Sequence, residues 1–366
     1  MWMFSRLFDS PDVVTCDKIR ESLFRDAAIG ASFLVRCVRP KDGNYYFSVS
    51  RDGKKGLHIQ RKPYTAVFHC LACLEFHRVL VKHADTSLIK DFLKKKDTFD
   101  FLKEARDAFD FVAKCLDDPS VCGAITSDDK TPSILGEVMC LSGMSEEFLK
   151  VLPHERDHWI KYIENAMMRV IPHFDTSKSV FMETVLDPSL GVDHSTSVGR
   201  LLNPGHSIEV SWFLIHLTRH RKSEKHLKIA LDALEGALQL GWNSKKGGGI
   251  TYMKDILSKP LLDTTVVSEH VLWWPLCEAL YACTLAIDIT NDSKWMNWLS
   301  KVHEYIYDHL CDEKGGGEWF GYLRPDGSVF NRTKGGNYKG CFHVPRALLF
   351  SIQCARRYLK RKDTIN

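Results

Sequence analysis

Apolar residues recur at helical spacing along almost the whole chain, in paired runs joined by short polar or glycine-rich links. Ile19, Leu23, Ala27, Ile29 and Phe33 form one stripe; Phe68, Leu71, Leu74, Phe76 and Leu80 form a second; Phe101, Ala105, Phe109, Val112 and Leu116 form a third. The same reading predicts helices over about 146–170, 206–220, 223–240, 266–288, 293–310 and 344–361. Strand signals are short. Tyr45-Tyr46-Phe47-Ser48-Val49-Ser50 leads into the turn Arg51-Asp52-Gly53, and Glu318–Leu323 leads through Pro325-Asp326-Gly327 to Ser328-Val329-Phe330. An internal echo ties these units together. Gly247-Gly248-Gly249-Ile250-Thr251-Tyr252 resembles Gly315-Gly316-Gly317-Glu318-Trp319-Phe320, 68 residues further on. A period of that size means one helical hairpin plus one β-excursion per repeat. Stacked hairpins of this kind predict an all-α toroid with short β-hairpins at one end and a pocket where the strand-bearing loops gather. No low-complexity linker divides the chain, so a single domain over 1–366 is expected.

Composition narrows the partners. Lysine and arginine exceed aspartate and glutamate by only four in 366 residues, which argues against nucleic acid. The basic blocks Lys94-Lys95-Lys96 and Arg356-Arg357…Lys360-Arg361-Lys362 sit beside apolar residues at helical spacing and read as solvated helix faces. A stretch of some 18 apolar residues is not evident, so no membrane span is expected. The run Met1–Phe8 lacks the pattern of a signal peptide, which predicts a cytoplasmic chain whose 12 cysteines are reduced. Cys70 and Cys73 form the one CxxC, and their apolar helical surroundings make them buried thiols rather than zinc ligands.

Four constellations carry chemistry. His154-Glu155-Arg156-Asp157-His158 is a literal H-E-x-x-H, but Pro153 puts it at a helix start, so it reads as an exposed first turn and no metal is expected. His216 and His220 are spaced for one helix face and read as surface or core residues. In Gly199-Arg200-Leu201-Leu202-Asn203-Pro204-Gly205-His206-Ser207-Ile208-Glu209, the Asn-Pro-Gly turn delivers His206 to the first turn of an apolar helix. A helix N-terminus disfavours imidazolium, which suits His206 as a base, with Glu209 one turn on as its orienter. Trp273-Trp274-Pro275-Leu276-Cys277-Glu278 pairs two aromatic faces with a carboxylate, a combination that suits sugar C–H faces and hydroxyls. Finally, a glycine-rich loop presents His343 just before a helix in Gly340-Cys341-Phe342-His343-Val344-Pro345-Arg346. Two histidines delivered in this matched way suit proton transfer on both faces of one carbon. Cys341 as a thiolate nucleophile is the weaker reading, since no Asn or Asp orienter is evident.

The runs around Asn203-Pro204-Gly205-His206, Trp273-Trp274, Gly317-Glu318-Trp319-Phe320-Gly321-Tyr322 and Gly340–Arg346 resemble the animal N-acylglucosamine 2-epimerases, also called renin-binding proteins. The resemblance covers nearly the whole chain and is densest from Glu183 to Arg346. It implies an (α/α)6 barrel, commonly a homodimer. It implies interconversion of N-acetylglucosamine and N-acetylmannosamine as open-chain sugars, with no required cofactor, ATP or another nucleotide as effector, and renin as a possible partner. The two catalytic histidines fall on His206 and His343, and the active-site carboxylate on Glu278. Arg200, Asn203, Glu209, Trp273 and Trp274 are expected to bind substrate. The resemblance also implies several dozen residues ahead of the run matching Trp2–Leu7, with the first barrel helix and an active-site arginine, so the barrel is expected to be incomplete at its N-terminus. Thr65-Ala66-Val67-Phe68 and Leu276 depart from the family pattern, at positions bearing on substrate preference. Two other readings stand beside this one: a catalytically impaired paralogue acting by binding, and an aldose–ketose isomerase built on the same two histidines.

Overall fold

The computed structural model describes residues 1–39, 43, 45–94, 99–123, 131–261 and 268–365. Lys95, Lys96 and the first residues of the helix expected at 266 lie outside them. The chain forms two compact units, one of Met1–Thr131 with Cys140–Ala166 and one of Pro132–Met139 with Met167–Asn366.

In the first unit, α1 (Trp2–Phe8) and α2 (Asp17–Cys37) precede an antiparallel hairpin, β1 (Tyr46–Val49) and β2 (Gly56–Ile59), and three further helices, α3 (Tyr64–Lys82), α4 (Ser87–Leu93) and α5 (Phe101–Asp117). Side-chain caps set two of the starts: Thr86 accepts from the Ile89 amide and Asp100 from the Lys103 amide. The predicted stripe on α5 is buried at Phe101, Ala105, Phe109 and Val112. Phe76 is the hub of the core, with ring centroids 5.8 Å from Phe24, 5.5 Å from Phe92 and 5.0 Å from Phe101. One expectation is corrected. Helix α3 is long and apolar enough, at mean hydropathy 1.2, to meet the composition of a membrane span; 61% of that window is buried, and the helix packs on α5 and α1 as a core element. Cys70 and Cys73 lie buried within it, as free thiols.

The single helix expected over 146–170 is two. After β3 (Ser133–Ile134), α6 (Leu135–Val151) stops before Pro153, a one-turn 3-10 segment follows, and α7 (Arg156–Val170) begins. Proline lacks the N–H that would continue the ladder and clashes with the preceding turn. The break also disposes of the H-E-x-x-H motif. His154 is exposed in the 3-10 turn, and Glu155 is engaged by Arg106 and by the Trp159 indole N–H at 3.1 Å.

The second unit carries the short strands. β4 (Phe174–Asp175) pairs with β5 (Val180–Phe181), β6 (Thr184–Val185) with β3, and β7 (Leu201–Leu202) with β8 (Lys254–Asp255). β9 (Val271–Leu272) pairs with β10 (Tyr322–Leu323), which also pairs with β11 (Val329–Asn331). All are antiparallel. The helices are α8 (Pro204–His220), α9 (Glu224–Gly241), α10 (Trp273–Thr290), α11 (Ser293–Tyr305) and α12 (His343–Ile365). Every residue of α10 from Trp273 to Ile287 is buried, the mark of a helix with no solvent face. It packs on α8, α11 and α12.

The two glycine loops fold alike, but 69 residues apart rather than the 68 read from the sequence: Gly247 and Gly248 correspond to Gly316 and Gly317, while Gly315 ends the second 3-10 turn and Gly249 faces a position held by Glu318. One 3-10 turn (Ser244–Lys246) follows α9, another (Glu313–Gly315) follows the π-helical turn Ile306–Leu310 that continues α11, and left-handed glycines come next, Gly247–Gly249 and Gly316–Gly317. The Gly248 amide then bonds back to the Asn243 carbonyl at 2.9 Å and that of Gly317 to Asp312 at 2.8 Å. Single β-bridges, Trp242 with Ile250 and Cys311 with Trp319, close both excursions. Positive φ at these positions is what glycine permits.

A different glycine sets how closely α9 approaches the β4–β5 turn. A Cβ on Gly236 would stand 2.1 Å from the Ser179 carbonyl oxygen, which is backbone and cannot swing away. Alanine is favoured over glycine in helices by about 1 kcal/mol. Even so, Gly236→Ala is expected to destabilise the protein by about 1–3 kcal/mol through overpacking. A lower urea midpoint at unchanged slope is the expected reading; a raised midpoint would contradict this packing.

Candidate active site

Asn203 starts α8. Its Oδ1 accepts from the His206 amide at 3.2 Å, and Pro204 fits the first turn, where no amide donor is needed. Gly205 is required by space: a Cβ there would lie 2.5 Å from Cη2 of Trp274 and 2.9 Å from Pro275. The missing side chain lets the start of α8 close onto the start of α10. His206 consequently lies against Trp274, with ring centroids 5.0 Å apart, and its Nδ1 donates to Glu183 Oε2 at 2.8 Å.

His343 opens α12 in a parallel way. Its Nδ1 donates to Glu278 Oε1 at 2.7 Å, and its ring centroid is 5.8 Å from the same Trp274 indole. The ring planes of the two histidines are tilted by 38° and 40° to that indole. Both imidazoles therefore lie against the same indole. A carboxylate that accepts at Nδ1 fixes the tautomer, so in each neutral ring Nε2 holds the lone pair of a base.

Glu278 is the most constrained group of the cluster. Besides His343, it accepts from Arg346 Nη2 at 2.6 Å on Oε1 and from the Trp212 indole N–H at 2.9 Å on Oε2. Arg346 also donates to Glu209 at 2.9 Å, and its guanidinium lies 5.3 Å from the Trp212 ring centroid and 4.4 Å from that of Phe342. Burial penalises the Glu278 charge, but Arg346 and the His343 hydrogen bond outweigh it and hold the carboxyl at about 2. For Glu209 burial wins: it raises the carboxyl above the ordinary range, the neighbouring Glu278 charge adds to the rise, and Arg346 offsets only part. Of the two acids, Glu278 holds its charge the more strongly. Burial works against the Arg346 charge, and its two carboxylate partners more than restore it. Ligating atoms of Glu209, Glu278 and His343 lie within 4.8 Å of one another, a spacing that suits a metal ion. The cation among them is Arg346, which bonds both carboxylates.

The expected residues are thus distributed unevenly. His206, His343, Glu278, Glu209 and Trp274 join one cluster. Glu209 does not orient His206; Arg346 draws it toward Glu278, and Glu183 is the carboxylate on His206. Trp273 stands beside the cluster, its ring centroid 6.4 Å from that of His343. Arg200 is buried on Asp255 at 2.8 Å and donates to the His194 and Ser195 carbonyls, so its donors hold that loop and β8. His216 is a buried residue bonded to the Tyr281 hydroxyl at 2.7 Å. Sequence reasoning missed Glu183, Arg346 and Trp212. Arg346 had a signal, three residues after His343 and hence on the same helix face. So did Glu183, a lone carboxylate after the apolar run Val180-Phe181-Met182. Trp212 had none, because an apolar helix hides which indole finds a partner.

Residues 147–347 match the family model of N-acylglucosamine 2-epimerase, a stretch that holds every residue of the cluster. The chain is 28% identical to the N-acylglucosamine 2-epimerase of Bos taurus over 366 residues, spanning 99% of this chain and 80% of the relative. It is 28% identical to that of Homo sapiens over 373 residues, spanning 99% and 79%. Among solved structures it resembles the cellobiose 2-epimerase of Bacillus thermoamylovorans B4167, with a TM-score of 0.72 at 18% identity over 96% of this chain and 85% of that one. That likeness assigns the fold to the (α/α)6-barrel class expected from the sequence. With the match covering more than half of its length, the chain belongs to the N-acylglucosamine 2-epimerase family and is an enzyme of the isomerase class.

Proposed function

We propose that the chain interconverts N-acetylglucosamine and N-acetylmannosamine by moving the C2 proton of the open-chain sugar. The carrying observation is the pair of histidines on one indole, each with its Nδ1 on a carboxylate. In this reading the Nε2 lone pair of one histidine takes the C2 proton. The C2–H electron pair moves into a C1–C2 double bond, and the C1 carbonyl oxygen becomes the oxygen of an enolate whose C2 keeps its acetamido group. The second histidine, entering as imidazolium, returns a proton to C2 from the opposite face, and the carbonyl re-forms. Each turnover leaves the two rings with exchanged protonation, which proton transfer with water resets.

Two buried donors support a hydroxyl-rich ligand here. Asn203 Nδ2 and Trp273 Nε1 have no hydrogen-bond partner, and they belong to the residue capping His206 and to the ring beside His343. An unpaired buried donor costs about 1–3 kcal/mol, which a bound hydroxyl relieves. Trp274 offers an apolar face to sugar C–H groups. Homodimerisation, a nucleotide effector and renin binding belong to this reading on the family resemblance alone. Twelve free thiols support a reducing compartment, and we assign the chain to the cytoplasm.

Proton NMR of N-acetylmannosamine incubated with the protein in D2O is expected to show N-acetylglucosamine carrying deuterium at C2. A ketose product would instead establish an isomerase, and absence of both products and of C2 exchange would reject the proposal. His206→Ala and His343→Ala are each expected to lower epimerisation by about 100-fold or more. Each should still exchange the C2 proton of one epimer, and the two variants should differ in which epimer; exchange of both by either variant would refute the two-base assignment. Glu183→Gln is expected to fold normally and lose about tenfold or more in kcat at little change in KM, with the pH profile of kcat displaced, because His206 then faces a neutral amide whose NH2 can donate to Nδ1 and admit the other tautomer.

A further inference from the structure

The loop ahead of α12 inverts the usual pattern of burial. From Asn331 to Cys341 every residue is exposed except Lys334, half-buried, and Lys339, which is 5% exposed. Its neighbour Tyr338 is 69% exposed, so the loop turns its charged residue inward and its aromatic one outward. A buried ammonium must be paired. Lys339 Nζ donates to Glu318 Oε1 at 2.7 Å and to the Lys334 carbonyl at 2.9 Å. Lys334 crosses the other way: its Nζ donates to the Glu318 carbonyl at 2.9 Å and pairs with Asp312 at 2.9 Å. Both lysines thus tie the loop to the second glycine excursion. The Lys339 stem has its own slot, beside Gly321 at the approach to β10. A Cβ on Gly321 would stand 3.0 Å from Lys339 Cδ and 3.6 Å from Cε3 of Trp273, so the stem runs along the ring that stands next to His343.

We infer that Lys339 is a positioning residue for His343, the anchor that fixes the backbone from which that imidazole hangs. Only Gly340, Cys341 and Phe342 separate the two. Gly335, Gly336 and Gly340 leave the loop little stiffness of its own. Its internal backbone bonds are sparse: the Gly336 amide donates to the Lys339 carbonyl at 3.1 Å, and the Phe342 amide to that of Gly340 at 2.9 Å. Glu278 fixes the ring at Nδ1, but where Nε2 points depends equally on where the loop delivers the start of α12. A misplacement of about 1 Å in a reacting group costs about 100-fold in rate. The effect on rate rests on the proposed two-histidine reaction; the placement of the ring is read without substrate.

The test is imidazole NMR of the full chain carrying isotope-labelled histidine, with the two ring signals assigned through His206→Ala and His343→Ala. Lys339→Met keeps the stem and removes the charge. It is expected to shift or broaden the His343 signals and to leave those of His206 in place. Unmoved His343 signals overturn the inference, and so does equal movement of both rings, which marks a general loss of packing. If Lys339→Met fails a circular-dichroism check of folding, Glu318→Ala, altered at a side chain 49% exposed, is read by the same criterion. With substrate, Lys339→Met should lower kcat about tenfold or more at little change in KM. It should slow C2 exchange of the epimer that His343→Ala fails to exchange and leave that of the other within about threefold. Equal slowing of both epimers overturns the positioning role. A wild-type protein that exchanges neither epimer rejects the proposed reaction instead, and the imidazole signals then decide the inference alone.

Discussion

The buried carboxylate of Glu278 is the junction on which the second unit depends. It belongs to α10, and its partners come from α8 through Trp212 and from α12 through His343 and Arg346. Arg346 closes the network by returning to Glu209 on α8. One ionised acid thus specifies the register of three helices at once. Removing one member of such a buried pair costs about 3–5 kcal/mol, because the remaining charge is left unpaired. The sign with pH follows from the depressed Glu278 carboxyl. The contribution is complete above the ordinary carboxylate range and is lost as pH falls below it. Helix packing and base positioning are therefore one arrangement rather than two.

Close approach is the second constraint. At Gly205 the absent side chain lets α8 meet Trp274, and at Gly236 it lets α9 meet the backbone of the β4–β5 turn. Both are positions where the fold needs less than an alanine. The glycines of the two echoed loops serve differently, through positive φ that turns the chain back into a single bridge. These devices leave the helices regular and concentrate irregular backbone in the connections.

Much of this was legible in the sequence because the period-3.6 stripes are long and the turn chemistry is explicit. Asn203-Pro204-Gly205 announces the start of α8, and α5 begins at the residue its stripe predicts. The failures have physical causes. Pro153 outweighed an apolar pattern that otherwise runs on from α6 to α7. The start of α6 and the short helices α1 and α4 lack a strong stripe of their own. In the site, the residue types were readable but the pairings were not. Glu209, near His206 in sequence, is drawn away by Arg346, and Glu183 arrives from a separate strand segment. Sequence proximity fixes which groups share a helix face; only packing decides which carboxylate a histidine meets.

The two imidazoles are held by unequal supports. Glu278 is locked by three donors from two helices, whereas Glu183 sits between β5 and β6, its backbone bonded to Leu201 and Leu135. A pair of bases mounted so differently need not work equally fast. In the proposed reaction the equilibrium between the epimers is a property of the sugars, and the Haldane relationship obliges any change at one mount to alter the forward and reverse parameters together. In that proposed reaction the asymmetry of the mounts sets how turnover divides between the two half-reactions and which ring is found protonated between cycles, while the final ratio of epimers is indifferent to it.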